Sequence, residues 1–474
     1  MKLQPRFLGA LACLALAACH GAPPLVTRPK DADAHTVFTR ASVLDVATGQ
    51  IHAGMDVLVS GDRIAAVAPQ GTLTIPEGAR RIDASGATLL PGLIDSHGHV
   101  GNGSAPPWAG EIPDPDRNLQ SYLYCGVTTV LDPADLASQA FERREDVARG
   151  KLVGPTIFAA GPMLTAEGGH PVPVLEALTP WWIGWYIERQ VTRQIDSPEK
   201  AREAVAELHG EKADFVKVAV DSIPDGAPRI RRELIGAIVG EAHHRGMRVV
   251  AHIGTLEDAI DAGESGVDAF MHMIYKDDLA PADVERVAGF KIPMVATMGV
   301  FENYALVGER KREPTPLEIE TVSADVLASF DQRPEGAISP SFLEFFQKLR
   351  GHRRQWRENI RALREAGVTI LAGSDTQSGV FPGPGLHREL ALLIESGMTP
   401  AEAIRAATLD AARFLQKSED PDFGIVEAGK RADLLLVEGN PTFQIAALSR
   451  IRAVMKDGVV LERHPVAQAS HATN

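Results

Sequence analysis

Aromatic residues are scarce, at 5% of 474 positions, and there are only three cysteines. Three thiols in so long a chain exclude a disulfide framework, so the fold must be held by apolar burial, and 45% hydrophobic residues can supply it. Basic charge is outweighed: 48 lysines and arginines meet 62 aspartates and glutamates, a net charge of −14. With no basic stripe and no nucleic-acid-binding motif, a nucleic-acid partner is set aside. Apolar runs of membrane-spanning length are missing, the nearest being residues 7–18, too short to cross a bilayer. Internal repeats and low-complexity tracts are absent as well. The length admits one large barrel with an accessory domain, or two or three ordinary domains.

The N-terminus reads as an export signal. Lys2 and Arg6 supply a positive region, residues 7–18 an apolar one, and the stretch closes on Leu16-Ala-Ala-Cys19. That closure resembles the lipobox of bacterial lipoproteins, which implies a signal over 1–19 and a lipid on Cys19. The alternative is a soluble periplasmic protein cut at an Ala-x-Ala-like site. His20 follows where an aspartate usually retains such proteins at the inner membrane, so the expected destination is the outer membrane. Cys13 lies inside the signal, which leaves Cys125 as the one free thiol of the mature chain. Contact with the membrane is expected only through the lipid.

Residues 20–35, with three prolines and mixed charge, read as a linker. Short β-like runs with glycine punctuation fill 36–88, and similar runs return over 424–463. Together they predict a small β-sandwich domain. Between them, over 89–423, strand-like and helix-like segments alternate, with strands expected at 89–96, 128–132, 155–160, 214–219, 248–253, 268–273, 292–298 and 369–375. Eight such alternations predict an α/β fold, a (β/α)8 TIM-like barrel. Residues 464–474 form a tail. Insertions follow two strands, at 162–197 and about 300–340. The first holds Trp181, Trp182, Trp185 and Tyr186, which suit either a substrate pocket or a packed lid without ligand contact.

Chemistry concentrates at the expected strand ends. His97 and His99 leave one face of the first strand, as i and i+2 do, in the manner of a chelated metal. Lys217 lies in the apolar run of the fourth strand, where burial is costly unless the amine is paired or modified. Carbamylation by CO2 would make it a carboxylate able to bridge two metals. His252 and His272 end the fifth and sixth strands, and Asp375 closes the eighth behind small residues. Any one of these histidines alone is more often a core residue than a ligand. The set, at successive strand ends, is not.

His-x-His, Lys, His, His and Asp on strands one, four, five, six and eight resemble the amidohydrolase superfamily, and within it an imidazolonepropionase-like and prolidase-like branch. The phrases LPGLIDSHGH (90–99), GGH (168–170), HREL (387–390), TPAEA (399–403) and GKRADLLLV (429–437) agree, and the likeness runs over about 36–463. It implies a metal-dependent hydrolase of amide or peptide-like C–N bonds in a small molecule such as a dipeptide or N-acyl amino acid. His97, His99 and Asp375 would hold one divalent cation and His252 and His272 a second, with carbamylated Lys217 and a hydroxide between them. Zinc is the default for such a donor set. Asp375 would act as general base and then acid, with Lys217 completing the catalytic centre. His170, in the GGH phrase, is either a substrate-binding residue or a structural loop histidine.

Lys217 favours two-metal hydrolases over single-metal cyclic-amide hydrolases and deaminases, which lack it. One departure stands out: prolidase-like members carry a substrate-holding tyrosine two residues after the strand-five histidine, and Gly254 occupies that place. Lactone or organophosphate ester hydrolysis on the same site therefore stays open, as does a non-catalytic solute-binding lipoprotein. The complete ligand set argues against the last. Monomer and homo-oligomer are equally compatible with the sequence.

Overall fold

A computed structural model of the chain describes residues 23–30, 33–178, 184–306 and 313–466. The signal with Cys19, the tryptophans 181 and 182, and residues 467–474 lie outside them. Among the described residues no helix is long and apolar enough to cross a membrane.

Eight parallel strands form a barrel: β1 (Leu93–Asp95), β2 (Val127–Asp132), β3 (Thr156–Ala159), β4 (Phe215–Ala219), β5 (Arg248–His252), β6 (Ala269–Met271), β7 (Met294–Val295) and β8 (Ile370–Leu371). β1 to β3 pair in one arc and β4 to β8 in another. The arcs are joined by Asp214 N–H donating to Ala159 O at 2.8 Å and Ser96 N–H donating to Ala372 O at 3.0 Å. Ile94, Leu131, Phe215, Val250, Met271, Val295 and Leu371, from seven of the strands, share one buried cluster beneath the site. The helices are amphipathic in the expected way. Pro198–Gly210 buries Ala201, Ala204, Val205 and Leu208, the i, i+3, i+4, i+7 stripe, and is capped by Ser197 accepting from Lys200 N–H.

The flanking β segments meet in one eight-stranded mixed sheet. Leu434–Glu438 pairs antiparallel with Ala87–Pro91, Leu436 opposite Leu89, and Phe38, Val57, Leu89, Leu436 and Met455 fill its core. The expected strand 89–96 is thus two strands in different sheets. The break falls at Gly92, whose N–H donates to Asp433 O at 2.8 Å, so the outer sheet extends past the expected boundary at 88. Continuous apolar character concealed the break because Leu89, Leu90, Leu93 and Ile94 are all buried, in three different core clusters.

The expected linker also needs correction. Val26–Thr27 pairs antiparallel with Glu462–Arg463, and Leu25 and Val26 are buried. Two apolar residues find a core that the neighbouring prolines had obscured. The expected tail begins bonded: His464 N–H donates to Leu25 O at 2.8 Å and Val466 N–H to Glu320 O at 2.8 Å. In the first insertion, Met163–Ala166 and Thr192–Ile195 pair in parallel and join β4 through Leu164 and Val218. Trp185 and Tyr186, on Gly184–Val191, are 59% and 50% exposed, so these two rings face solvent. The described part of the second insertion carries short helices, and the 26-residue helix Pro340–Glu365 follows it.

Candidate active site

All six expected metal-site residues gather at the C-terminal mouth of the barrel. His99 Nδ1 lies 3.0 Å from Ala134 O, which turns Nε2 toward Asp375 Oδ1, 3.1 Å away. His97 Nε2 is 3.6 Å from the same oxygen, and Asp375 N–H donates to His97 O at 2.6 Å. His272 Nδ1 is held by Thr297 Oγ1 at 2.7 Å. The His272 ring stands 4.6 Å from that of His97 and 4.1 Å from that of His252. His97, His272 and Asp375 bring donor atoms within 4.8 Å of one another.

Lys217 comes from one inward-facing layer lower. It pairs with Val250, while Ala219 two residues on pairs with His252. It is 1% exposed and Nζ has no hydrogen-bond partner among the described residues. Burial therefore pulls its pKa down to about 7, against the attraction of Asp375. Burial likewise holds His97, His252 and His272 well below the usual histidine range, with Lys217 and one another adding to the effect. Neutral imidazoles are the metal-binding form. His99 alone is raised, because the Asp375 and Asp132 carboxylates outweigh its burial.

The backbone is bent to make this arrangement. His272 has φ of 91° and Asp375 of 52°, the left-handed region that side chains disfavour at a cost of about 1–3 kcal/mol. Each is pinned, His272 N–H by Val295 O at 2.9 Å and Asp375 by His97. Gly373 permits the approach of β8, since a Cβ there would lie 2.5 Å from Val295 Cγ1 and 2.8 Å from His97 Cβ.

His170 is brought into the site too. Its ring centroid is 4.7 Å from that of His252, and its Nδ1 is buried without a hydrogen-bond partner. Three residues that the sequence did not single out complete the surroundings. Asp95, fully buried, accepts from His97 N–H at 3.1 Å, from Ser374 N–H at 2.9 Å and from Ser374 Oγ–H, tying β1 to β8. Asp132 ends β2 with Oδ1 3.9 Å from His99 Nδ1. Asp221, four residues beyond Lys217, lies 3.5 Å from His252 Nε2 through Oδ2. Asp95 lies inside the 90–99 phrase, two residues before His97, and that spacing was its available signal.

The model of the amidohydrolase family matches residues 88–461. This chain belongs to the amidohydrolase family. With the family comes its chemistry: the protein is a metal-dependent hydrolase of C–N bonds. Ochratoxinase of Aspergillus niger is 27% identical over 394 residues, covering 77% of this chain and 73% of that one. The adenine deaminase of Serratia proteamaculans is 39% identical over 409 residues, covering 85% of this chain and 53% of its own length. Among solved structures, a putative prolidase from Bifidobacterium longum superposes with a TM-score of 0.71 at 25% identity, covering 93% of this chain and 97% of that one.

The residues present fit the metal that this amidohydrolase's family uses. His97 Nδ1, Lys217 Nζ and His252 Nε2 are buried polar atoms without hydrogen-bond partners among the described residues. Such orphans are costly in a protein interior unless something else satisfies them. A cation at His252 Nε2 and a modified Lys217 would satisfy two of the three.

Proposed function

We propose that this amidohydrolase cleaves the amide bond of a small substrate, a dipeptide or an N-acyl amino acid, using two divalent cations bridged by a carbamate on Lys217. One observation carries the reading: a fully buried lysine amine without a hydrogen-bond partner sits on the floor of a ring of imidazoles. A neutral amine is the form that adds to CO2, and the product is a carboxylate that two cations can share. His97, His99 and Asp375 would hold one cation, His252 and His272 the other. Zinc suits the donor set. When bound, the cations acidify a water and polarise the scissile carbonyl.

The chain's own groups do the rest. Asp375 takes a proton on a carboxylate oxygen and returns it to the departing nitrogen, base and then acid. Asp95 and Thr297 keep the neighbouring ligands in place by the bonds described above. His170, beside His252 with Nδ1 free, would bind the substrate carbonyl, which is a role left open by Gly254. The names ochratoxinase and prolidase among the relatives support an amide substrate. The same proposal places the enzyme outside the cytoplasm, anchored through lipid on Cys19.

The test is hydrolysis by the zinc-loaded protein of a panel of dipeptides, N-acyl amino acids, lactones and adenine. Dipeptide or N-acyl amino acid turnover that is lost in Asp375→Asn supports the reading. Turnover of lactones alone, or deamination of adenine alone, replaces it.

A further inference from the structure

Position 254 has no room for a side chain. A Cβ there would lie 2.3 Å from Asp221 Oδ2 and 2.7 Å from Oδ1. Asp221 leaves the end of β4 and crosses beside the end of β5, where its carboxylate is fully buried. Oδ1 accepts from Ser222 N–H at 2.6 Å and from Lys276 Nζ at 2.8 Å. Oδ2 accepts from the Tyr275 hydroxyl. A carboxylate oxygen takes two such bonds, so Oδ2 keeps one lone pair.

Facing that oxygen is His252 Nε2, 3.5 Å away, buried and without a hydrogen-bond partner. The distance is long for a hydrogen bond. It matches the separation of two donors on one tetrahedral cation, since bonds of about 2.1 Å at the tetrahedral angle place donor atoms about 3.4 Å apart. The pairs proposed above for the other cation, His97 and His99 with Asp375, stand at 3.6 and 3.1 Å. Lys276 is itself saturated by Asp221, by Ser222 O at 2.6 Å and by Asp225 at 3.3 Å, so it orients the carboxylate and has no proton left for a substrate.

We propose that Asp221 is a metal-coordinating carboxylate that binds, through Oδ2, the cation held by His252. Tyr275 and Lys276 aim it, and Gly254 clears the space it needs. The inference rests on the metal-dependent reading of the site and adds a ligand to it. A carboxylate beside two imidazoles also makes this half of the centre more hospitable to manganese or iron than an all-imidazole set would be.

Anomalous diffraction at the zinc edge from zinc-loaded crystals of the wild type tests the ligand directly. An ion within about 2.3 Å of both His252 Nε2 and Asp221 Oδ2 is the expected result. An ion on His252 with the Asp221 carboxylate beyond 3 Å or so, or no ion at His252, overturns it. In solution, Asp221→Asn keeps the shape and should weaken one zinc equivalent by at least about tenfold in competition with a chromophoric chelator. Tyr275→Phe, which removes a neighbour and leaves the ligand, should weaken it less. Equal zinc affinity in wild type and Asp221→Asn overturns the inference. A wild type that takes up a single zinc sinks the two-cation proposal instead, and the Asp221→Asn comparison still decides this one.

Discussion

Asp95 offers the sharpest perturbation of the site that leaves every proposed metal ligand in place. Its carboxylate accepts three hydrogen bonds from His97 and Ser374 in a fully buried position. Asp95→Ala strands two backbone N–H groups without water, at about 1–3 kcal/mol each. The lost acceptor volume adds a little, so a destabilisation of about 3–5 kcal/mol is expected. Asp95→Asn keeps an oxygen for both N–H groups and turns an amide toward Ser374 Oγ, which can rotate to accept. It should cost only about 1 kcal/mol. The assay is urea unfolding of chelated protein at pH 7.5, above the value of about 6 to which burial lifts Asp95, so that the carboxylate is ionised. Zinc affinity should fall at least about tenfold in Asp95→Ala, because the residues it holds are His97 itself and the neighbour of Asp375. A loss below about 1 kcal/mol in Asp95→Ala, or an asparagine as damaging as the alanine, would refute the hydrogen-bond reasoning.

Three other outcomes are expected. Gly92→Ala would place a methyl 2.2 Å from Thr128 Oγ1 and 2.4 Å from its Cγ2 at the junction of the two sheets. Overpacking of that kind costs about 1–3 kcal/mol, and an unchanged urea midpoint would contradict it. Lys217 in the chelated, uncarbamylated protein sits near 7, below its ordinary 10.5. Its contribution to stability is therefore complete above pH 10.5 and lost as the pH falls toward 7, with a slope of up to about 1.4 kcal/mol per pH unit. Lys217→Met should remove that slope from the wild-type curve measured in chelator; a parallel curve would contradict the burial of an unmodified amine. Cys19→Ser should move the expressed protein from the membrane fraction to the soluble one, and retention in the membrane would contradict lipid anchoring.

The residues of the candidate metal site were legible because coordination chemistry restricts residue type, and strand ends are easily found when apolar runs stop at a histidine or aspartate. His97, His99, His252, His272 and Asp375 all meet both conditions. Lys217 was legible for the opposite reason, a charge inside an apolar run. Asp95 and Asp221 were passed over because an aspartate near a strand end is ordinary until its partner is known. Asp95 depends on Ser374, and Asp221 on the empty place at Gly254, contacts that only the closed barrel creates. β7 and β8 are two residues each, too short to be delimited by periodicity, so the expected strands ran past them into the site residues Thr297 and Asp375. The split at Gly92 was hidden because both faces of the run are buried. For the aromatic cluster the sequence left pocket and packed lid open, and of its members Trp185 and Tyr186 are turned to solvent.

Metal content per chain, measured by mass spectrometry on the full-length protein purified with bicarbonate and without chelator, tests the central claim most directly. Two equivalents in the wild type, falling to one or fewer in Lys217→Ala, is the predicted result. One equivalent that is indifferent to Lys217 would contradict the carbamate bridge, and none would contradict the metal centre itself.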